Sequence, residues 1–430
     1  MPLIVRLERL LPEGLRPVLH GLLAYGLAEA GTRVLRVFTI IVIARQIAPA
    51  QIGIAALALA LFEFVRVLAN SGIGQRIIAA TDAELASICN AAHRLFYLWC
   101  GGVALVQLAC AAIMWRVFGQ AEIAAMLAML TGVYALMPAG LVQVFLLMRS
   151  GRLATTARIA ATQTTADHFL CLALALVWPS AWALVLPKLL TAPVWLVLVR
   201  RAQCWSPIVG VAAAPLHEFT RLSAGVLVTE FTNVARQQLD KIIVGAMLGT
   251  EALGFYFFAF NAGLGITSSF VSALSIVLFP YLCAARSALD RMRRLKHSIM
   301  LGLGLFTPVV IAQVLLADIY VPILFGEQWA DIAPLVAILC LAAIPAITAS
   351  VSTAWLRATG GADRDAMISI VVCIAALGAL ALGCTIGLHG AAWAYVLALW
   401  AVQLPITAFV LFRGLGLSAI NNQTPKGVVI

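Results

Sequence analysis

Apolar residues run along the chain in blocks of about 20, separated by short clusters of charged and turn-forming residues, which is the length a helix needs to cross bilayer hydrocarbon. Reading the chain in such blocks gives about twelve spans, centred near Leu35, Leu61, Leu105, Tyr134, Asp167, Thr191, Val234, Ser268, Val309, Ala343, Ala376 and Leu399. Against this background the polar exceptions are informative. Glu29, Arg33 and Arg36 lie inside the apolar segment from about His20 to Ala44, at i, i+4 and i+7, so a helix puts all three on one narrow face. A charge at membrane depth costs several kcal/mol unless it faces a partner or a water-filled cavity. The first span is therefore expected to line a polar cavity.

Composition supports the same solvent. With 63% apolar and 11% charged residues, the chain departs from an ordinary soluble domain, which carries roughly a quarter charged residues. The expected fold class is an all-α polytopic membrane protein. Cytoplasmic connections collect Lys and Arg, and an inside N-terminus satisfies that rule. Of the 28 basic residues, only Arg45 and Arg116 then fall in outward loops, while Arg33, Arg36, Arg66, Lys188, Arg236 and Lys241 lie within spans. The rest are cytoplasmic, including the run Arg291, Arg293, Arg294 and Lys296, and both termini are expected inside. The net charge of +10 then expresses topology and contact with anionic lipid, and no nucleic-acid partner is expected. Met1 to His20 lacks an apolar core followed by a small-residue cleavage site, so the first spans are expected to act as the insertion signal. The stretch LIVRLERLLPEGLRPVL reads either as a short interfacial amphipathic helix interrupted near Pro12 or as disordered chain.

A shift of 201 residues brings one half of the chain onto the other. IARQIAPAQIGIAALALA, from Ile43 to Ala60, matches VGAMLGTEALGFYFFAF, from Val244 to Phe260, and puts Gly53 on Gly254, Ile47 on Leu248 and Ile52 on Leu253. Deeper in the preceding span it puts Glu29 on Glu230 and Arg36 on Gln237. Two pseudo-symmetric six-helix bundles follow, with a substrate path between them and alternating access by rocking. Chance similarity between two apolar loops is the competing explanation. The expected organisation is a cytoplasmic or interfacial segment at 1–18, a bundle at 19–200, a basic linker at 201–217, a second bundle at 218–414 and a cytoplasmic tail at 415–430.

The seventh span offers a second polar strip. Glu230, Gln237 and Lys241 fall within about 40 degrees of one another on an ideal helix, flanked by Asn233 and Asp240. Arg236 projects elsewhere and precedes Asp240 by four, which favours a local ion pair. Glu63 and Arg66 form an i, i+3 pair that serves either as structural glue or as cavity lining, with snorkelling open to Arg66. Asp167 and His168 occur in mid-span, where they either carry a coupling proton or join helices by a hydrogen bond. Lys188, just after Pro187, follows the kink into the cavity or reaches the boundary. Asp318 is expected near the outer end of its helix, and Trp115, Trp178, Trp182, Trp195 and Trp329 are expected mostly in the interfacial belt.

Enzymatic signatures are missing from the sequence. The nine cysteines are scattered singly without metal spacing and read as small packing residues, and no HExxH, GxSxG or Walker A loop occurs. No metal site and no cofactor is expected, beyond a coupling proton or sodium ion. An ATP-driven pump would need its nucleotide domain on another chain.

The stretch ARQIAPAQIGIAALALALFEF, followed by NSGIGQRII, resembles the first outward loop and second span of the polysaccharide transporter branch of the MATE-like MOP flippases. The second half agrees through LDKIIVGAMLGTEALGFYFFAFN and through PILFGEQWADIAPLVAILCLAAI followed by WLRATG. The likeness runs from about Gly21 to Arg413, and twelve spans match the Wzx type. It implies a non-enzymatic transporter of the bacterial inner membrane that moves undecaprenyl-pyrophosphate-linked oligosaccharide to the periplasmic leaflet, for exopolysaccharide, capsule or lipopolysaccharide assembly. Polymerase and export machinery are the implied partners, and a monomer is the expected state.

By position within the helices, the resemblance implies that Arg33, Arg36 and Arg66 receive the pyrophosphate, with Glu29 and Glu63 tuning or releasing it. Lys241 and Gln237 are the cavity candidates of the second half, and Glu29, Glu230, Asp240 and Asp167 are the candidate coupling acids. A MATE-type small-molecule antiporter shares the fold but is expected to present acidic cavities to cationic substrates. A polymerase or glycosyltransferase of the same pathway usually needs a sizeable periplasmic loop, and every outward connection here is short. The lipid II flippase group resembles fourteen spans more than twelve.

Overall fold

The structure, a computed structural model, describes residues 35–420 apart from 70–71, 216, 266, 268–270, 272–277, 280 and 286. Helices form nearly all of it, in chain order α1 (35–46), α2 (Pro49–Arg66), α3 (Ile73–Ala79), α4 (Leu85–Arg116), α5 (Ala121–Leu130), α6 (Gly132–Leu136), α7 (Pro138–Arg149), α8 (Leu153–Val177), α9 (Trp182–Leu190) and α10 (Ala192–Ala202). There follow α11 (His217–Ala262), α12 (Ala288–Leu315), α13 (Ala317–Phe325), α14 (Ala333–Cys340), α15 (Ala343–Ala358), α16 (Ala362–Cys384), α17 (Leu388–Ala398) and α18 (Leu404–Ile420). No strand occurs among the described residues. In hydrocarbon each backbone amide must be satisfied within its own segment, so apolar runs of this length become helices.

Nine helices among the described residues are long and apolar enough to cross a membrane, or ten when the bent pair Ala121–Leu136 and Pro138–Arg149 counts as one span. The protein is a polytopic membrane protein. Of the expected spans, the first lies partly and the eighth, centred near Ser268, largely outside the described residues. Helix α4 shows how the bilayer is met. Its 32 residues extend about 48 Å, well beyond the roughly 30 Å of hydrocarbon. The exposed apolar side chains begin at Tyr97 and continue through Leu98, Leu105 and Ile113 to Trp115, whereas the first three turns bury Ile88, Cys89 and Asn90. The lipid-facing part thus starts about one third of the way along the helix.

By internal packing the chain divides at Phe257/Phe258. The bundle boundary expected at 201–217 is carried forward as a proposal. In the unit Leu35–Phe257, proline places several helix starts: Pro49 and Pro138 stand at the first turns of α2 and α7, where a missing N–H costs nothing. The fourth expected span bends by 54° between α6 and α7. The sixth is interrupted at Thr191 between α9 and α10, whose neighbours include Pro187 and Pro193. The start of α6 packs on the end of α9, since a Cβ on Gly132 would stand 2.9 Å from Leu189 Cδ1. Residues 203–215 are strapped to α4: the Asn90 side chain donates to the carbonyls of Ile208 and Val211 and accepts from Ile208 N–H, and Ser87 bonds Ala212.

The internal repeat is visible as contact. A Cβ on Gly53 would lie 1.6 Å from Thr250 O, and a Cβ on Gly254 would lie 1.9 Å from Pro49 O. Thr250 and Pro49 are themselves related by the same shift of 201, so the two copies of the motif cross one another in a symmetric manner. Just before this crossing, Gly249 interrupts α11 with φ 87 and ψ 173, a conformation closed to most side chains.

The unit from Phe258 onward has its own core of Leu282, Leu295, Phe306, Ile347, Val351 and Trp355. Trp329 departs from its expected place in the interfacial belt: it is fully buried, stacked on Phe258 with centroids 4.0 Å apart, and Phe325 meets Phe258 edge-on at 4.8 Å. Trp115 and Trp178 remain half exposed. Helices α16 and α17 approach closely, as a Cβ on Gly383 would stand 2.5 Å from Gly390 O.

Candidate functional site

Glu29 and Arg33 lie outside the described residues. Arg36, in the first turn of described α1, is exposed and forms no ion pair among the described residues. In α2, Glu63 and Arg66 do pair, with Arg66 Nη2 2.7 Å from Glu63 Oε2 and Nε donating to the same oxygen at 2.9 Å. Both side chains stay partly open to solvent, 48% for Arg66 and 27% for Glu63, so the pair is not a sealed structural clamp. Tyr134 in α6 packs its ring against Phe62 and feels the charges of Arg66 and Glu63. Its buried hydroxyl has no hydrogen-bond partner among the described residues, which is costly unless a ligand or water supplies one.

Asp167 and Lys188, read separately in the sequence, meet. Lys188 Nζ lies 2.7 Å from Asp167 Oδ2, joining α8 to α9. Asp167 is at the middle of the span Ala154–Val177, and Lys188 is about 9 Å into the span that opens at Trp182. The other carboxylate oxygen of Asp167 is buried with no partner among the described residues. His168 adjoins Asp167 on α8. The interhelical bond anticipated for Asp167 is thus an ion pair with one lone oxygen.

On α11 the expected strip is uneven. Gln237 is exposed and its carbonyl accepts from Lys241 Nζ, while Lys241 and Asp240 are buried, 3.2 Å apart. Tyr256 donates to the second Asp240 oxygen at 3.3 Å. Asp240 therefore finds its described partners in Lys241 and Tyr256; the pair expected with Arg236 falls outside the described side chains. The side chains of Glu230, Asn233 and Arg236 lie outside the described part of the structure. Tyr134, Gln107, whose Oε1 is also buried without a partner among the described residues, and the Asp167–Lys188 pairing were not singled out from sequence. An isolated polar residue in an apolar block is the only signal each one leaves.

Around the turn between α3 and α4, charges are satisfied locally. Arg149 binds Asp82 at 2.7 Å and the carbonyls of Ile78 and Ala80, and Arg76 binds Glu84 at 3.0 Å. The hydrogen bond from Arg76 holds the Glu84 carboxyl below the usual glutamate range. Among the described residues no group of three or more His, Cys, Asp and Glu is arranged to hold a metal ion.

The same fold occurs in solved structures. A lipid II flippase, MurJ, in its inward closed conformation has a TM-score of 0.70 over 94% of each chain at 10% identity. An inward-facing multidrug resistance MATE family transporter of the MOP superfamily has a TM-score of 0.64 over 92% of this chain and 96% of that one, at 15% identity. The fold is therefore that of the MOP flippases and MATE transporters. Residues 42–334 match the model of a polysaccharide biosynthesis protein family, and the chain belongs to that family. Among named relatives, the succinoglycan biosynthesis transport protein ExoT of Rhizobium meliloti (strain 1021) is 24% identical over 396 residues, 90% of this chain and 78% of that one. The lipopolysaccharide biosynthesis protein WzxC of Escherichia coli (strain K12) is 22% identical over 167 residues, 38% of this chain and 34% of that one.

Proposed function

We propose that the chain is a flippase for lipid-linked oligosaccharides of surface or secreted polysaccharide, working by alternating access without covalent chemistry. The single observation that carries this reading is the family match over 42–334, joined to a transport-protein relative that aligns over 90% of the chain. The polar interior supports it. A pyrophosphate cannot enter hydrocarbon, and arginine donors at depth replace its hydration. Arg33, Arg36 and Arg66 are assigned to the headgroup, with Lys241 and Gln237 on the second half. Glu29, Glu63, Glu230, Asp240 and Asp167 are assigned to charge tuning or to coupling by H⁺ or Na⁺. The bacterial inner membrane, cytoplasmic termini, bundles at 19–200 and 218–414, and polymerase and export machinery as partners complete the proposal.

The test is leaflet accessibility of the undecaprenyl-pyrophosphate oligosaccharide in cells with and without the chain. Accumulation of complete repeats on the cytoplasmic side upon depletion is the expected result. Normal arrival at the periplasmic side without polymerisation would favour a polymerase, and unchanged lipid carriers would favour small-molecule antiport.

A further inference from the structure

The Asp167–Lys188 pair has an uneven arrangement. Lys188 offers one donor to Asp167 Oδ2 and keeps 38% of its side chain exposed, whereas Asp167 is 8% exposed and its Oδ1 is buried without a partner among the described residues. A lysine ammonium has three donors, so two remain for another acceptor. Asp167 lies at mid-span and Lys188 about 9 Å into its own span, where an ammonium exposed to lipid is disfavoured. Thr191 lies one turn beyond Lys188, and Leu189 beside it packs on α6, where a Cβ on Gly132 would stand 2.9 Å from its Cδ1.

We propose that Lys188 and Asp167 form a binding site for a glycosyl phosphate or pyrophosphate: phosphoryl oxygens accept from Lys188, and a neighbouring sugar hydroxyl donates to Asp167 Oδ1. The proposal rests on the flippase reading for its biological source and adds a recognition element for the junction between sugar and phosphate. Asp167 is a positioning residue for Lys188 as well as an acceptor. A bare anion satisfies only the ammonium, whereas a glycosylated one also satisfies the lone carboxylate oxygen, which is the chemical basis for preferring it.

The experiment uses the full chain in nanodiscs, with farnesyl pyrophosphate, a farnesyl-pyrophosphoryl hexose, inorganic pyrophosphate and farnesol as probes. Wild type and Lys188→Arg are expected to bind the glycosylated probe more tightly than farnesyl pyrophosphate and not to bind farnesol. Asp167→Asn should lose the preference for the hexose while still binding pyrophosphate. Lys188→Gln should bind both anions about 10- to 100-fold more weakly. Because a lone Lys188 substitution strands Asp167, the double variant Lys188→Met with Asp167→Leu removes both charges together, and it should show the same loss with its unfolding midpoint unchanged. Equal affinity for inorganic pyrophosphate and the prenyl probes would keep the anion site but assign it to free phosphate compounds. Unaltered binding in the folded double variant overturns the site. If depletion of the chain still causes cytoplasmic lipid-linked repeats to accumulate, that failure leaves the flippase reading standing; if depletion changes nothing, the flippase reading itself falls.

Discussion

Substituting Gly53 by alanine tests the symmetric helix crossing most directly. The added methyl would stand 1.6 Å from Thr250 O, 2.6 Å from Thr250 C and 2.9 Å from Gly254 N. All three atoms are backbone, so no side chain can swing aside. Restoring an ordinary contact of about 3.5 Å requires the two segments to part by about 2 Å, which strips dispersion contacts along the crossing. Overpacking of a closed site costs about 1–3 kcal/mol, and a backbone clash belongs at the upper end, so Gly53→Ala should lose about 3 kcal/mol. Gly254→Ala meets Pro49 O at 1.9 Å and should behave alike. Gly101 and Gly102, in α4, provide the control, since a Cβ there meets nothing within 4 Å. Alanine at those positions should be neutral or should stabilise by about 0.5–1 kcal/mol through backbone entropy. Equilibrium unfolding in graded SDS, with membrane abundance measured alongside, reads the difference. Equal stability of Gly53→Ala and Gly101→Ala would refute the claim that the repeat meets itself by backbone contact.

Asp240→Ala leaves Lys241 buried without its carboxylate and should cost about 3–5 kcal/mol, seen as lost membrane abundance, whereas Asp240→Leu combined with Lys241→Met should restore abundance. Trp329→Ala empties a fully buried site against Phe258 and should cost about 3–5 kcal/mol in the same unfolding titration, while Trp115→Ala, half exposed, should change stability by less than about 0.5 kcal/mol. Asn90→Ala removes the bonds that strap 203–215 to α4, at about 1 kcal/mol each, so protease cleavage near Val209 should accelerate in the variant; equal cleavage rates would show that the strap is held by other contacts.

The sequence alone determined that the chain lives in a bilayer, roughly where its helices run, and that its two halves share a motif. Apolar length is enough for this, because hydrocarbon forces every amide into a helix whatever the neighbours are. Particular charges were legible too: Arg36, Glu63, Arg66, Asp167, Lys188, Asp240 and Lys241 all stand out against apolar surroundings. Their partners were not. Lys188 finds Asp167 on a different helix, Asp240 meets Lys241 and Tyr256, and Trp329 leaves the expected belt for a core. In water, an amphipathic stripe tells which face of a helix is buried; in lipid, the tails are as apolar as the side chains, and that signal fades. Which faces meet is then decided by close packing, small residues and a few polar contacts. The shift of 201 residues matched Gly53 to Gly254, but only the tertiary structure brought those two glycines into contact, because two surfaces must fit before a missing side chain has any consequence.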